Sequence, residues 1–434
     1  MPRFGSSGIR GLGNVDVTPH LALRVGMAVG ELYGDTIVGR DPRLTGPMLM
    51  EALCAGVLSS GAAAVEGGLV STPTLARGAR DCACGVMITA SHNLAPYNGI
   101  KLWNPDGMAF DEGQQRDIEA ALDQGRFAPP AWDRIGRSSM RPTLVQEHID
   151  AILEDIGPAK LRVVVDCGCG ATSTITPLLL RRMGCDVIAL NAQPDGHFPA
   201  REPEPTEENL GGLAATVRAT RADIGIAHDG DGDRMVAMDR EGRFVGGDVL
   251  LALFARREVR RSIVVPVDAS MVLSDLLPKA TIWRTRVGDV YVAAELKRRG
   301  ADFGGEPSGT WIFPKATLCP DGVYAAARLV SMVAERPLDA LVREIPRYPI
   351  LRGSLPYPAG HRAAIESRLD PALRNLGADV SVLDGWRLQF DDGWALVRFS
   401  GTEPKIRVLA ESRDERRAKE IYSAVLSSAK GAAA

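Results

Sequence analysis

Three β-branched runs, each closing on an aspartate, constrain this chain more than any other feature. They are Thr36-Ile-Val-Gly-Arg-Asp41, Arg162-Val-Val-Val-Asp166 and Ile263-Val-Val-Pro-Val-Asp268. A helix-length segment follows each one (47–60, 173–183 and the shorter 270–277), and the chain then returns to an apolar stretch (62–69, 186–190 and 281–284). Strand, helix and strand in that order build a parallel pair, so three α/β units with mixed, largely parallel sheets are expected. Their spacing of about 100 to 125 residues is that of domains rather than of solenoid repeats. Breaks in the pattern suggest where the units end. Residues 126–143 are rich in Pro, Arg and Ser and read as a linker, 239–247 is a Gly-rich turn, and 346–358 holds four prolines and reads as a second linker. Beyond it come a helix at 361–369, short strands near Val380, Trp386 and 395–399, and a helix at 413–429, an α+β unit and not a fourth copy. The expected domains are 1–140, 141–241, 242–345 and 346–434, one more than the three that length alone suggests.

The polar residues that follow the strands carry the chemistry. Gly85-Val86-Met87-Ile88-Thr89-Ala90-Ser91-His92-Asn93 reads as a short buried strand that ends abruptly. Ser91 then lies on the loop past a strand's carboxyl end, where open α/β sheets place ligands. Residues 93–101 have turn chemistry, with Asn98-Gly99 permitting positive φ and Lys101 ten residues past the serine. A serine before a turn is ordinarily a cap, but three other stretches argue otherwise.

Asp229-Gly-Asp231-Gly-Asp233-Arg234 follows the apolar run 223–228. Three carboxylates at alternate positions can converge on one hard cation, leaving positions open for a phosphate, which suits Mg²⁺. A calcium-binding EF-hand loop is excluded, since its sixth and twelfth positions are here Arg234 and Arg240. Arg398-Phe-Ser400-Gly401-Thr402-Glu-Pro-Lys405-Ile-Arg407 offers hydroxyls and amides to an oxyanion and three cations to neutralise a phosphate. Gly304-Gly-Glu306-Pro-Ser308-Gly309 reads as a loop whose carboxylate and hydroxyl suit sugar hydroxyls. Asp166-Cys-Gly168-Cys-Gly170-Ala-Thr-Ser173 has the outline of a dinucleotide fingerprint, but its third glycine is Ser173 and no acidic residue stands at the expected place after the second strand, so a tight turn is the better reading.

Composition excludes several classes. A net charge of −3 leaves no electrostatic footprint for nucleic acid or an acidic membrane. No signal-peptide core or bilayer-spanning run is evident, and seven cysteines, of which Cys82/Cys84 and Cys167/Cys169 are spaced C-x-C rather than C-x-x-C, read as reduced thiols of a cytoplasmic protein.

Phe4-Gly-Ser6-Ser-Gly-Ile-Arg10-Gly, Thr89-Ala-Ser91-His-Asn, Asn98-Gly-Ile-Lys101, residues 229–234, Gly305-Glu306-Pro-Ser308-Gly309 and residues 398–407 together resemble the signatures of the α-D-phosphohexomutase family. They stand in the family's order and span the chain. The resemblance implies four domains around a central cleft, each giving one loop. Ser91 would be the phosphoserine and would join Asp229, Asp231 and Asp233 as ligands of one Mg²⁺. Glu306 and Ser308 would contact the sugar, Arg398, Ser400, Gly401, Thr402 and Arg407 would clamp the substrate phosphate, and Arg10, Lys101 and Arg234 would surround the transferring phosphoryl group. The implied reaction interconverts sugar 6- and 1-phosphates through a sugar 1,6-bisphosphate that turns over in the cleft, its partners being small sugar phosphates, with a homodimer compatible. Thr310 stands where many relatives have histidine, which leaves Lys101, with a lowered pKa, as the expected general base. Ser6 replaces a more usual threonine, and Cys169 a more usual asparagine. Val287-Gly-Asp289-Val-Tyr291-Val and the Glu306 loop are more similar to the phosphoglucosamine mutases than to the phosphomannomutase/phosphoglucomutases of the family, with Asp289 available to an ammonium group at C2. A phosphoserine phosphatase would need no remote clamp, and a sugar-phosphate sensor would need no serine beside three aspartates.

Overall fold

The computed structural model describes residues 4–5, 8–358, 360–400 and 404–433. The first unit is a six-stranded sheet of β1 (Ile9–Leu12), β2 (Thr36–Arg40), β3 (Ala64–Leu69), β4 (Cys84–Ile88), β5 (Tyr97–Trp103) and β6 (Ser138–Met140), in the order β1-β5-β4-β2-β3-β6. Its helices are α1 (Pro19–Leu32), α2 (Gly46–Ser59), α3 (Thr72–Gly78) and α4 (Glu112–Gln124). The second has β7 (Arg162–Asp166), β8 (Asp186–Leu190), β9 (Ile224–His228), β10 (Met235–Asp239) and β11 (Phe244–Val245), ordered β11-β10-β9-β7-β8, with α5 (Leu144–Asp155), α6 (Thr176–Arg182) and α7 (Gly211–Thr220). The third has β12 (Ser262–Pro266), β13 (Thr281–Thr285), β14 (Phe303–Glu306) and β15 (Thr310–Ile312), ordered β13-β12-β14-β15, with α8 (Gly247–Glu258), α9 (Val272–Leu276), α10 (Asp289–Arg299), α11 (Gly322–Glu335) and α12 (Leu338–Arg343).

One plan underlies all three. The aspartate-ended runs form the central strands β2, β7 and β12, each flanked by two parallel partners. Such strands are covered on both faces, which is why their residues are apolar without alternation. Val163 and Val165 enter one apolar cluster while Val164 enters another, and Ile263 and Val265 are separated from Val264 in the same way. The third parallel strand of each unit then folds back antiparallel: β4 into β5, β9 into β10 and β14 into β15. The second and third units share one continuous core that runs from Ile149 to Ile345.

The fourth unit is antiparallel throughout: β16 (Ile350–Pro356), β17 (Asp379–Ser381), β18 (Trp386–Phe390), β19 (Gly393–Phe399) and β20 (Lys405–Ser412), ordered β16-β20-β19-β18-β17, with α13 (Arg362–Arg374) and α14 (Glu415–Ala433) on one face. Both expected linkers hold strands. In 126–143, β6 adds a parallel strand beside β3. In 346–358, β16 pairs with β20 along its whole length, which leaves little beyond 346–349 as linker. Pro356 is tolerated because β16 is an edge strand, where a missing N–H costs no ladder bond. All seven cysteines are free thiols, and among the described residues no helix is long and apolar enough to cross a membrane.

Candidate active site

The shared plan places three of the four expected loops at one topological position. Ser91 lies between β4 and β5, the three aspartates between β9 and β10, and Ser308 between β14 and β15, just past Glu306 at the end of β14. Gly304-Gly305-Glu306, expected in a loop, is therefore strand, and only 307–309 turns.

Ser91 is buried and adopts a left-handed conformation, φ 51°. That conformation costs a residue with a Cβ about 1 kcal/mol or more and persists only where neighbours fix it. The Ser91 N–H donates to Thr89 Oγ1 (2.8 Å), and the Thr89 hydroxyl donates to buried Asp41 (2.6 Å). The Ser91 hydroxyl donates to Asp229 Oδ2 at 2.8 Å, joining the first unit to the second. His92 Nδ1 lies 3.2 Å from the same hydroxyl. Burial, then the charges of Arg234, Arg10 and Lys101, push the His92 imidazole down to about 2, so it is neutral. Arg10, on β1, donates to Asn93 Oδ1 at 3.0 Å.

Asp229, Asp231 and Asp233 are buried, with one carboxylate oxygen of each lying within 4.8 Å of the others. Gly232 has φ 78°, which brings its N–H and that of Arg234 onto Asp229 Oδ1. A side chain on Gly230 would lie 2.6 Å from the Ser91 carbonyl, so glycine here lets the two loops touch. Burial, then repulsion from Asp233 and Asp231, raises Asp229 well above the usual carboxylate range. Asp231 Oδ1 and Asp233 Oδ1 are buried without a hydrogen-bond partner. An orphaned buried acceptor costs about 1–3 kcal/mol, and more when charged. Three crowded carboxylates with unused oxygens beside a serine hydroxyl fit a hard divalent cation.

Lys101, on β5, donates to Asp231 Oδ2 and Asp233 Oδ2, each at 2.9 Å. Burial acts to lower its pKa, but the two carboxylates outweigh it and the net shift is upward. The lowered pKa expected for a general base is not found, because the anions closest to the amine favour the ammonium form. Arg234 turns its guanidinium toward Glu204, 3.2 Å away.

Glu306 accepts from the Gly288 N–H (2.8 Å) and from the Thr310 hydroxyl (3.1 Å). Where histidine was the family expectation, Thr310 is thus occupied with orienting Glu306. Burial, then the like charge of Asp289, raises Glu306 to about 7. Asp289 opens α10 next to Gly288, and Ser308 is exposed at the hairpin tip. The second and third loops are joined by the Arg234–Thr310 bridge and by the Met235 N–H donating to Gly309 O at 3.0 Å.

Arg398 and Arg407 are direct cross-strand partners on β19 and β20, so their side chains leave the same sheet face. Arg398 Nε donates to Asp384 Oδ1 (3.0 Å), whose other oxygen accepts from the Val287 N–H (2.9 Å). Arg407 is exposed, and Ser400 is buried with its N–H donating to Lys405 O at 2.8 Å. Gly401, Thr402 and Ser6 lie outside the described residues. Contacts therefore run from Ser91 to Asp229, from Arg234 to Thr310, from Glu306 to Gly288, and from Val287 through Asp384 to Arg398, linking all four units.

Two residues of this set had no sequence signal strong enough to single them out. Thr72, at the start of α3, donates its hydroxyl to Asp231 at 2.6 Å, and Asp384 stands in an unremarked turn. The Asp166 turn is an internal brace, as its glycines suggested: Asp166 accepts from Gly168 N–H, Asn191 and Arg201.

The descriptions "Phosphoglucomutase/phosphomannomutase, alpha/beta/alpha domain I", "domain II" and "domain III" match residues 1–129, 145–242 and 246–348, and the same family's C-terminal domain matches 363–428. A "Probable phosphoglucosamine mutase" of Methanococcoides burtonii is 53% identical over 95% of this chain and 96% of its own. One so named from Methanocella arvoryzae is 51% identical over 98% and 97%. Among solved structures, a phosphoglucomutase/phosphomannomutase family protein from Burkholderia thailandensis superimposes with a TM-score of 0.90 at 27% identity, covering 98% of this chain and 97% of that one.

Proposed function

This chain belongs to the α-D-phosphohexomutase family, and from that premise we propose that it interconverts glucosamine 6-phosphate and glucosamine 1-phosphate through a phosphoserine at Ser91 and a glucosamine 1,6-bisphosphate. The observation that carries this reading is the 2.8 Å hydrogen bond from the Ser91 hydroxyl into a buried, partly unsatisfied carboxylate cluster. Asp229, Asp231 and Asp233, with a phosphoserine oxygen, would hold Mg²⁺, which neutralises and polarises a phosphoryl group when bound.

The remaining roles follow from this chain's own residues. In the forward half, a bond forms between a sugar hydroxyl oxygen and phosphorus while the Ser91 Oγ–phosphorus bond breaks, and the hydroxyl proton ends on Ser91 Oγ. The return half reverses this at the sugar's other phosphate: Ser91 Oγ takes that phosphoryl group, and the sugar oxygen it leaves regains a proton. His92 lies beside Oγ, its Nδ1 3.2 Å from the hydroxyl, where it can contact the transferring group. Arg398 and Arg407 grip whichever phosphate is not reacting, and arginine suits that task because its fork matches phosphate oxygens. Glu306 binds the sugar hydroxyls, with Gly288 and Thr310 fixing its rotamer.

Support for a hexosamine comes from the two relatives' names and from acidity at the sugar loop. Asp289 repels Glu306, and a substrate ammonium would relieve both charges. Because the sugar turns over between half-reactions, one contact reads C2 in one orientation only, so the preference is modest, about 1–3 kcal/mol. The test is kcat/KM across glucosamine, glucose and mannose phosphates. Glucosamine phosphate leads, a trace of the 1,6-bisphosphate stimulates turnover, and no inorganic phosphate accumulates. Mannose or glucose phosphate ahead by tenfold would overturn the sugar assignment and leave the mutase. Mass analysis of active protein places one phosphoryl group on Ser91, and Ser91→Ala lowers kcat by at least about a thousandfold; full activity in that variant would end the phosphoserine reading.

A further inference from the structure

Arg43 carries no assigned role, yet its side chain is 0% exposed in the first unit. Burying a guanidinium is costly unless its five N–H donors are all paired. Here they are. Nε donates to Asp41 Oδ2 (3.0 Å), Nη1 to the carbonyls of Leu94 and Tyr97 (both 2.8 Å), and Nη2 to those of Ser91 (2.9 Å) and Asn93 (2.6 Å). Only one acceptor is a carboxylate. The other four are backbone oxygens of residues 91–97, the loop that begins at Ser91 and the first residue of β5, about fifty residues further along the chain.

We propose that Arg43 is the positioning residue that holds the Ser91 loop in its transfer geometry, a role that rests on reading Ser91 as the phosphoryl carrier. Both backbone polar groups of Ser91 return to the Arg43–Asp41 pair. The carbonyl is bound by Arg43 directly, and the N–H is bound by the Thr89 oxygen, whose hydroxyl donates to Asp41. The left-handed φ of Ser91 needs that double restraint, since nothing regular extends past Ile88 to impose it. The pair also registers the second unit. The Phe198 ring faces the guanidinium at 5.1 Å, and a side chain on Gly196 would lie 2.5 Å from the Pro42 carbonyl. Arg43 thus touches the Ser91 loop on one side and the second unit, through Phe198, on the other. Lysine cannot replace it, having three donors on a point charge against five on a planar fork.

The test compares full-length Arg43→Lys and Thr89→Val with the native protein by hydrogen–deuterium exchange over residues 89–98 and by steady-state kinetics on its best sugar phosphate. In Arg43→Lys, exchange across 91–97 rises at least tenfold and kcat falls at least tenfold, while KM stays within about twofold because the phosphate clamp is untouched. A folded Arg43→Lys with native exchange in this segment, or with kcat retained, overturns the proposal. If Arg43→Lys does not fold, Thr89→Val decides. It breaks the Asp41–Thr89–Ser91 chain with little change in volume, so faster exchange at the Ser91 amide with lowered kcat upholds the role, and native values for both overturn it. Should the native protein isomerise no sugar phosphate, the mutase reading falls, and the exchange measurement alone still decides whether Arg43 holds the loop.

Discussion

Glu306 shows what one buried carboxyl can report. Burial and the charge of Asp289 raise it to about 7, well above its unfolded value. Its contribution to stability is therefore present below the unfolded carboxylate range and is lost as pH rises through about 7. In the proposed sugar-binding role the sign is opposite, because the ionised carboxylate accepts from two hydroxyls better than the neutral carboxyl does. From pH 8 to pH 6, the KM of the native protein should rise relative to that of Glu306→Gln. Taking the ratio cancels the titration of the substrate phosphate, and a midpoint near 7 is expected; a flat ratio would separate Glu306 from the sugar. Arg407→Ala should raise KM about ten- to hundredfold for the 1- and 6-phosphates alike, as loss of a charged hydrogen bond of roughly 1.5–3 kcal/mol implies. An unchanged KM would remove Arg407 from the clamp. At this scale, legibility follows local spacing. Asp229, Asp231 and Asp233 could be read because the glycines between them put their chemistry into adjacent letters. Arg43 could not, because its meaning lies in carbonyls about fifty residues away, and a carbonyl has no letter of its own. Lys101 could be read, but not the upward shift of its pKa, since the acidic neighbours that cause it belong to another unit.

At the scale of elements, the recurring device is a third parallel strand that turns back antiparallel. The aspartate-ended runs announced the central strands correctly because two-sided burial leaves a continuous apolar signature. The two strands hidden in expected linkers were masked by composition, prolines in and around β16 and arginine and serine near β6. β20 was not legible either: Ile406, Val408 and Ala410 recur at every second position, but Leu409 between them is apolar and blurs the alternation of a half-buried strand. The β9–β10 turn should show a trade between stability and function. Neutralising Asp229 relieves the repulsion that raises its pKa, so Asp229→Asn should melt above the native protein in chelator. It should also lose the upward shift that Mg²⁺ gives the native protein, read by calorimetry without substrate. A metal-induced shift retained in full would show that the cation is held elsewhere.

For the molecule as a whole, the fourth unit is the part whose placement matters most. Its sheet buries one face under α13 and α14, and the other meets the third unit through Trp394, Leu396 and Leu409 packed on Val267 and Met271. Buried Glu411 secures that contact, accepting from the Ser270 hydroxyl (2.6 Å), the Met271 N–H (2.8 Å) and the Trp394 indole (2.6 Å). Arg387 lies over the Trp394 ring and donates to the Val267 carbonyl at 2.7 Å. Glu411→Ala would leave three donors unpaired, so it should loosen the fourth unit, raising KM for sugar phosphate at least tenfold with a larger radius of gyration in solution scattering. Native KM and scattering together would show that the apolar row alone suffices. The residues along β19 give this contact a mechanical meaning. Trp394, Leu396 and Arg398 leave the same face in succession, the anchor at one end and the proposed phosphate grip at the other, with Arg407 beside Arg398. Four residues of strand span about 14 Å, so a tilt of about 10° around Trp394 would carry both guanidinium groups through an arc of roughly 2 Å. With Arg398 and Arg407 as the clamp proposed above, the fourth unit would act as a gear: a motion too small to break its footing would become a displacement comparable to the length of a hydrogen bond, on the scale needed to release one phosphate and receive the other.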